Sequence, residues 1–235
     1  MKQLAIFAKY WEPGQVKTRL AAAIGHGEAS RLYQAFLTTL LQRFAGSAEQ
    51  AVLVYTPPER RAEFAMIAGE AWELRPQGEG DLGHRMARYF GAALRAGANR
   101  VVLIGSDSPH LPSEYVARAF DALNECPVVL GPTSDGGYYL VGASGAVPPI
   151  FSGVAWSSPA VWSQTLSLLE QAGCPFAVLP EWYDVDEVDD LVRLQDELEV
   201  KASVELPLQE LLAAVQIALG RRSTAGSVRA KSTPC

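Results

Sequence analysis

The chain has 235 residues, enough for one large α/β domain or two small ones. Apolar residues make up 49% of it and charged residues 20%, so it can bury a sizeable core, yet no apolar run approaches the roughly 20 residues that a membrane span needs. Its net charge of −6 hides an asymmetry: the four cations after residue 219 (Arg221, Arg222, Arg229, Lys231) have no acid among them, leaving 16 basic against 26 acidic residues in the body, a poor general nucleic-acid surface. In chain order, the patterns predict a strand over 4–8, a helix over 27–44, a strand over 51–55, a helix over 60–69, a strand over 72–75 and a helix over 82–96. A strand over 100–104, a helix over 112–124, strands over 128–131 and 138–142, a helix over 159–172 and a strand over 176–179 follow. Helices over 188–198 and 207–219 complete the body. Strands alternating with helices argue for a mostly parallel sheet covered by helices.

The opening segment carries one cation before a short apolar run, too short for a signal peptide. It reads as a first buried strand in a cytoplasmic protein. Residues 1–219 read as one domain without an internal linker, and residues 220–235 as a basic tail too poor in apolar residues to order. Cys126, Cys174 and Cys235 form no CxxC pair, so neither a disulfide framework nor a zinc knuckle is indicated. Along 82–96, Leu82, Met86, Tyr89, Phe90, Ala93 and Leu94 share one face, with Asp81 as N-cap and Gly97 as C-cap. The strand at 138–142 is entered through the Asp135-Gly136-Gly137 turn, so it pairs antiparallel with its predecessor or leaves the sheet.

In open α/β sheets ligands bind outside the carboxyl ends of strands, so the segments there carry the candidate chemistry. After the first strand, Gly14 precedes Lys17 and Arg19. This spacing is not a Walker A loop, but glycine lets a ligand approach and the two cations suit phosphate oxygens. They read equally well as solvated cations on a short helix. The segment Gln77-Gly78-Glu79-Gly80-Asp81-Leu82-Gly83 matches GxGxxG in form only, because Glu79 and Asp81 stand where a pyrophosphate would. A loop shaped for a nucleobase, or a merely structural one, fits it better; Arg85 faces phosphate or solvent. The apolar strand 100–104 runs into Gly105-Ser106-Asp107-Ser108-Pro109. An acid at the end of a central strand suits Mg²⁺ or Mn²⁺, which take oxygen ligands and usually share them with substrate phosphates; a helix cap is the alternative. In the Asp-Gly-Gly turn, Asp135 is a candidate base, and Tyr138 or Tyr139 a stacking residue; a plain hairpin turn with core tyrosines is as compatible. Asp184 and Asp186 alternate on an extended piece, and two carboxylates on one side repel unless a cation lies between them. One of them is therefore a candidate metal ligand. Asp189 and Asp190 belong to a helix's first turn. The three histidines show no metal-binding spacing, and GxSxG is absent.

Taken in order, FAKYWEPGQVKTRL, QGEGDLGHRM, IGSDSPHL, GPTSDGGYYLVG, the stretch from Phe151 to Ser157, and DVDEVDDL resemble a bacterial glycosyltransferase family that includes the arsenosugar-biosynthesis type. That family is a branch of the nucleotide-diphospho-sugar transferase superfamily with the GT-A fold. The resemblance covers about residues 1 to 200. It implies a single three-layer domain with a mixed, mostly parallel sheet of about seven strands, a nucleotide site in the first half and an acceptor site in the second. By that resemblance Lys17 and Arg19 contact the diphosphate, Gly14, Gly78, Asp81 and Arg85 shape the nucleotide pocket, and Asp107 binds Mg²⁺ or Mn²⁺ with Asp184 or Asp186. The pattern Ser-Asp-Ser stands where many GT-A enzymes carry two acids.

Three functions follow. The first is glycosyl transfer from a nucleoside-diphosphate sugar to a small-molecule acceptor, with Asp135 as base if configuration inverts. The second is nucleotidyl transfer from a nucleoside triphosphate to a phosphorylated small molecule, since the first loop and DVDEVDDL also resemble guanylyltransferases of cofactor biosynthesis. The third is nucleotide binding without turnover, which several strand-end acids argue against.

Overall fold

The computed structural model describes residues 1–201 and 205–229. In chain order its elements are β1 (Lys2–Lys9), α1 (Thr18–Ile24), α2 (His26–Phe44), β2 (Gln50–Thr56), α3 (Arg61–Ala68), β3 (Glu73–Pro76), α4 (Leu82–Arg95) and β4 (Arg100–Ile104), then α5 (Ser113–Ala122), β5 (Val128–Pro132), β6 (Tyr138–Ser144), α6 (Val161–Gln171), β7 (Phe176–Val178), α7 (Val188–Lys201) and α8 (Leu206–Arg229). They form two compact units, each discontinuous in sequence: Met1–Tyr10 with Phe44–Asp184, and Trp11–Arg43 with the chain from Val185 onward.

The first unit holds the whole seven-stranded sheet, in the order β3-β2-β1-β4-β6-β5-β7. β1, β2, β3 and β4 are mutually parallel; β6 runs antiparallel to β4 and β5, and β7 is parallel to β5. The expected mixed, mostly parallel α/β sheet is thus present, with its antiparallel strand where the Asp-Gly-Gly turn requires it. β1 and β4 read as unbroken apolar runs because both faces are covered. Ala5, Phe7, Val101 and Leu103 pack against Met86, Tyr89, Phe90 and Ala93 of α4 and Leu169 of α6, while the alternate residues Leu4, Ile6, Val102 and Ile104 are buried on the opposite face. α5 lies on that opposite face: a Cβ on Gly142 would stand 3.1 Å from Leu123, just past its end. Phe90 is fully buried, and a core phenylalanine of this kind stabilises by about 1.5–3 kcal/mol.

In the second unit, α7 buries Leu191, Leu194 and Leu198, and α8 buries Leu208, Leu211, Val215 and Ala218. Those spacings are the apolar stripes of helices that pack on one side, and α8 contacts both α7 and α1. Asp190 accepts hydrogen bonds from the backbone N–H groups of Asp186 and Glu187 at 3.1 and 2.8 Å, so its carboxylate satisfies donors that the start of α7 leaves open. α8 extends through Arg229, past the tail boundary expected at Gly220; residues 230–235, with Lys231 and Cys235, lie outside the described residues. α1 has no counterpart among the predicted helices, since seven residues are too few for a helical period to stand out.

Candidate functional site

The chain adds β2 and β3 on one side of β1 and β4 on the other. Crevices at the carboxyl ends of strands where the order reverses in this way are where open α/β sheets take ligands. A cleft of about 100 Å³ opens there in the first unit, lined by Phe7 of β1, Leu103 and Gly105 at the end of β4, Leu82 and Met86 of α4, and residues 138–141 of β6. Gly105 donates its N–H to the Tyr139 carbonyl at 3.0 Å, which carries the β4–β6 ladder one residue past the strand.

The loop between β3 and α4 is stitched by its own side chains. Gln77 is buried and donates its amide to the carbonyls of Ala8 and Val54 at 3.1 and 3.2 Å. Arg85 donates to the Gly80 carbonyl at 2.8 Å and to Gln77 Oε1 at 3.2 Å, and Arg88 donates to the Glu79 carbonyl at 2.8 Å. Gly78 adopts φ 76°, and a Cβ there would stand 2.0 Å from the Arg88 guanidinium. Asp81 caps α4, accepting from the His84 N–H and facing His84 Nδ1, both at 2.8 Å. The backbone N–H of His84 is the main cause of a carboxyl pKa held below its usual range. Gly83 serves close packing: a Cβ would lie 2.2 Å from the Phe151 carbonyl and 2.4 Å from Trp156 Nε1. The third glycine of the GxGxxG-like segment thus lets the loop with Phe151 and Trp156 approach the helix.

Beyond β4, Ser108 is buried, and its hydroxyl lies 2.9 Å from the Tyr183 carbonyl and 2.6 Å from Asp184 Oδ1. Through Ser108 the backbone just after Asp107 is tied to Asp184. His110 is buried with its ring 4.5 Å from that of Tyr183 and 5.0 Å from that of Trp182, so it packs the same two segments together. In the Asp-Gly-Gly turn, Asp135 Oδ1 accepts from Thr133 Oγ1 at 2.5 Å and from the Gly137 N–H at 3.1 Å. That is the turn role, and it occupies one carboxylate oxygen only. The two tyrosines part ways. Both line the cleft, but Tyr139 donates its hydroxyl to the Pro180 carbonyl at 3.0 Å, whereas the Tyr138 ring stands edge-on to Trp156 at 6.2 Å. Burial pushes both phenols above their ordinary pKa.

In the second unit, Glu12-Pro13-Gly14-Gln15 closes a turn with the Gln15 N–H on the Glu12 carbonyl at 3.0 Å and Gly14 at φ 85°, a sequence suited to a type II turn. Lys17 holds a left-handed backbone, φ 47° and ψ 45°, at the head of α1. Its side chain is only 2% exposed; the ammonium lies 2.9 Å from Asp186 Oδ1 and 5.7 Å from the centre of the Phe36 ring. Arg19 pairs with Glu187 at the surface. Neither cation is simply solvated. Of the sequence candidates, Gly78, Asp81, Arg85, Asp107, Asp135 and Asp184 belong to the first unit, and Gly14, Lys17, Arg19 and Asp186 to the second. Gln77, Arg88, Ser108 and Glu187 organise these loops without having been singled out in the sequence. Ser108 beside Asp107 and Glu187 beside Asp186 were the available signals, hydroxyl and acid next to a candidate.

Among the described residues no three or more His, Cys, Asp or Glu gather closely enough to hold a metal on their own. No described helix is long and apolar enough to cross a membrane.

Residues 39–158 match the family of uncharacterized proteins conserved in bacteria, DUF2064. The chain belongs to that family. The fold of this family member is also similar to that of a Desulfovibrio desulfuricans G20 protein assigned to the nucleotide-diphospho-sugar transferases, with 31% identity over 95% of this chain and 97% of that one and a TM-score of 0.85. Two more distant structures share the fold alone. A 4-diphosphocytidyl-2C-methyl-D-erythritol synthase from Anaerococcus prevotii DSM 20548 has 11% identity over 85% and 98% of the two chains and a TM-score of 0.55. A cytidylyltransferase from Leptospira borgpetersenii has 14% identity over 100% and 98% and a TM-score of 0.54. No protein of curated function matches the sequence.

Proposed function

We propose that the chain is a metal-assisted transferase acting on a nucleoside-diphosphate sugar, moving the glycosyl group to a small-molecule acceptor. The observation that carries this reading is the 31% identity, end to end, with a protein assigned to the nucleotide-diphospho-sugar transferases. The ordered motifs resemble the arsenosugar-biosynthesis branch in particular. The acceptor hydroxyl would lose its proton to the second oxygen of Asp135, the first being held by Thr133 and Gly137. Asp81, Gly78 and Arg85 would present the loop on which the base rests, already rigid through Gln77 and the Gly80 carbonyl. Lys17 and Arg19 would balance the charge of the leaving diphosphate.

The oxygen-only donors Asp107, with Asp184 or Asp186, suit Mg²⁺ or Mn²⁺, which need one or two carboxylates when phosphate oxygens complete the shell. Such an ion supplies charge neutralisation of the diphosphate when bound. Ser108 holds Asp184 in place, and Lys17 holds Asp186, whose other oxygen takes no hydrogen bond among the described residues.

A second reading is nucleotidyl transfer, in which a phosphorylated small molecule attacks a nucleoside triphosphate and releases pyrophosphate. It is favoured by the Lys17–Arg19 loop and the DVDEVDDL segment. Both readings face one experiment: thermal shifts with nucleoside diphosphates, triphosphates and sugar nucleotides, with and without Mn²⁺. A ligand that prefers the folded state raises the melting temperature by mass action. Asp107→Asn is expected to remove the metal-dependent part of the shift, and an unchanged shift rejects Asp107 as ligand. Pyrophosphate release from a triphosphate selects the second reading. No metal-dependent shift with any nucleotide counts against both.

A further inference from the structure

The cleft at the ends of β1 and β4 is unusual in what its side chains lack. Phe7, Leu82, Met86, Leu103, Tyr138 and Leu140 surround it, and none turns a hydrogen-bonding atom into it. The Tyr138 hydroxyl is buried beside Thr165 of α6, and the Tyr139 hydroxyl is bonded to the Pro180 carbonyl. The Gly105 N–H is taken by the Tyr139 carbonyl. At the rim, Leu82 is 42% exposed at the first position of α4, where a polar residue would cost nothing. A Cβ on Gly105 would meet no atom within 4 Å, so the cleft floor is kept open by the absence of a side chain.

From these features we infer that the cleft binds a small alkyl group of the substrate, of about four carbons or fewer, and excludes polyhydroxylated rings. This rests on the reading of this end of the sheet as the substrate site. Hydroxyl groups entering the cleft would find no side-chain partner to replace the water they give up, which is unfavourable. An alkyl group gains burial against Met86, Leu103 and Tyr138 and loses nothing. The volume limits its size: an apolar cavity of about 150 Å³ takes benzene, and this one is smaller. A sugar ring of a donor would accordingly sit outside the cleft, with an alkyl substituent of one reactant filling it.

The chain has three methionines, Met1, Met66 and Met86, of which Met86 lines the cleft and Met66 is 82% exposed. The ¹³C-labelled methionine methyl signals therefore report the cleft and a control in one spectrum. Titration with isobutanol, without any nucleotide, is expected to move the Met86 signal saturably and leave Met66 in place, while glycerol moves neither. Gly105→Ala, which folds without a clash, is expected to weaken isobutanol binding about tenfold, and Leu82→Asn at the rim to weaken it less. The inference is overturned if Met86 does not respond, if glycerol acts like isobutanol, if phenol binds and isobutanol does not, or if Gly105→Ala leaves the titration unchanged. A Met86 response alongside no nucleotide-induced thermal shift would sink the transferase reading and leave an alkyl-binding cleft; the reverse pair of results would do the opposite.

Discussion

Arg85, in the first turn of α4, and Lys17, at the head of α1, are both cations beside loops that follow a strand, and the chain disposes of their charge in different ways. Arg85, like Arg88, donates to backbone carbonyls of its own loop. Lys17 is sunk to 2% side-chain exposure and donates to a carboxylate 169 residues away in sequence. Carbonyl partners brace a loop and keep the guanidinium's remaining N–H groups for a ligand. A carboxylate partner cancels the charge and links two distant stretches of chain. The lesson is that the cation nearest a glycine turn need not be the one most available to phosphate.

The largest expected effect tests the Lys17 side of this contrast. Removing one member of a buried pair takes a charge partner from the other, so Asp186→Asn is expected to lower stability by roughly 2–3 kcal/mol, below the cost for a wholly buried pair because the Asp186 side chain is 39% exposed. A urea melt checks this. A stability equal to that of the parent would mean that Lys17 does not depend on Asp186, and the contrast with Arg85 would break. Raising the salt concentration should weaken this pair less than one between two exposed charges, since Lys17 is buried and Asp186 partly exposed.

Next is the packing that the braced loop serves. Alanine is ordinarily the better helix residue by about 1 kcal/mol, yet Gly83→Ala should destabilise by about 1–3 kcal/mol, because its Cβ would meet the Phe151 carbonyl and the Trp156 ring. Thermal melting distinguishes the signs: a gain in stability would show that the 151–156 loop yields freely.

Smaller again is Ser108→Ala, expected to cost about 1 kcal/mol through the lost bonds to the Tyr183 carbonyl and Asp184. If Ser108 also positions Asp184 for a metal, the midpoint for Mn²⁺ in the nucleotide shift moves with it, which a purely structural serine would not do. An unmoved midpoint assigns Ser108 to packing alone.

The smallest effect concerns pH. The N–H of His84 holds the folded-state carboxyl of Asp81 below the usual carboxylate pKa. A depressed folded value means that the stabilisation is present above the unfolded pKa and lost as pH falls through the folded one. Asp81→Asn keeps a capping oxygen and is expected to flatten this part of the acid-side stability profile while leaving neutral stability nearly unchanged. Profiles of identical slope below pH 4 would remove Asp81 as the cause.

Much of this was legible in the chain itself. The buried strands announce themselves as apolar runs, and α4 by the spacing of Met86, Tyr89, Phe90 and Ala93 behind an Asp cap, because burial on a regular lattice repeats at the period of the element. The Asp-Gly-Gly turn narrowed the next strand to antiparallel pairing or departure from the sheet, and the fold takes the first. What the sequence could not show was which neighbour each polar group would meet. Asp184 and Asp186 are two residues apart and chemically alike, yet one is held by a serine hydroxyl and the other by a buried ammonium. Tyr138 and Tyr139 are adjacent, yet the ring of one meets Trp156 and the hydroxyl of the other ties down the Pro180 carbonyl. Periodicity is a local property, written wherever backbone geometry repeats; the partner of a charge or a hydroxyl is set by segments dozens of residues away, and only folding brings them within the few ångströms over which such contacts act.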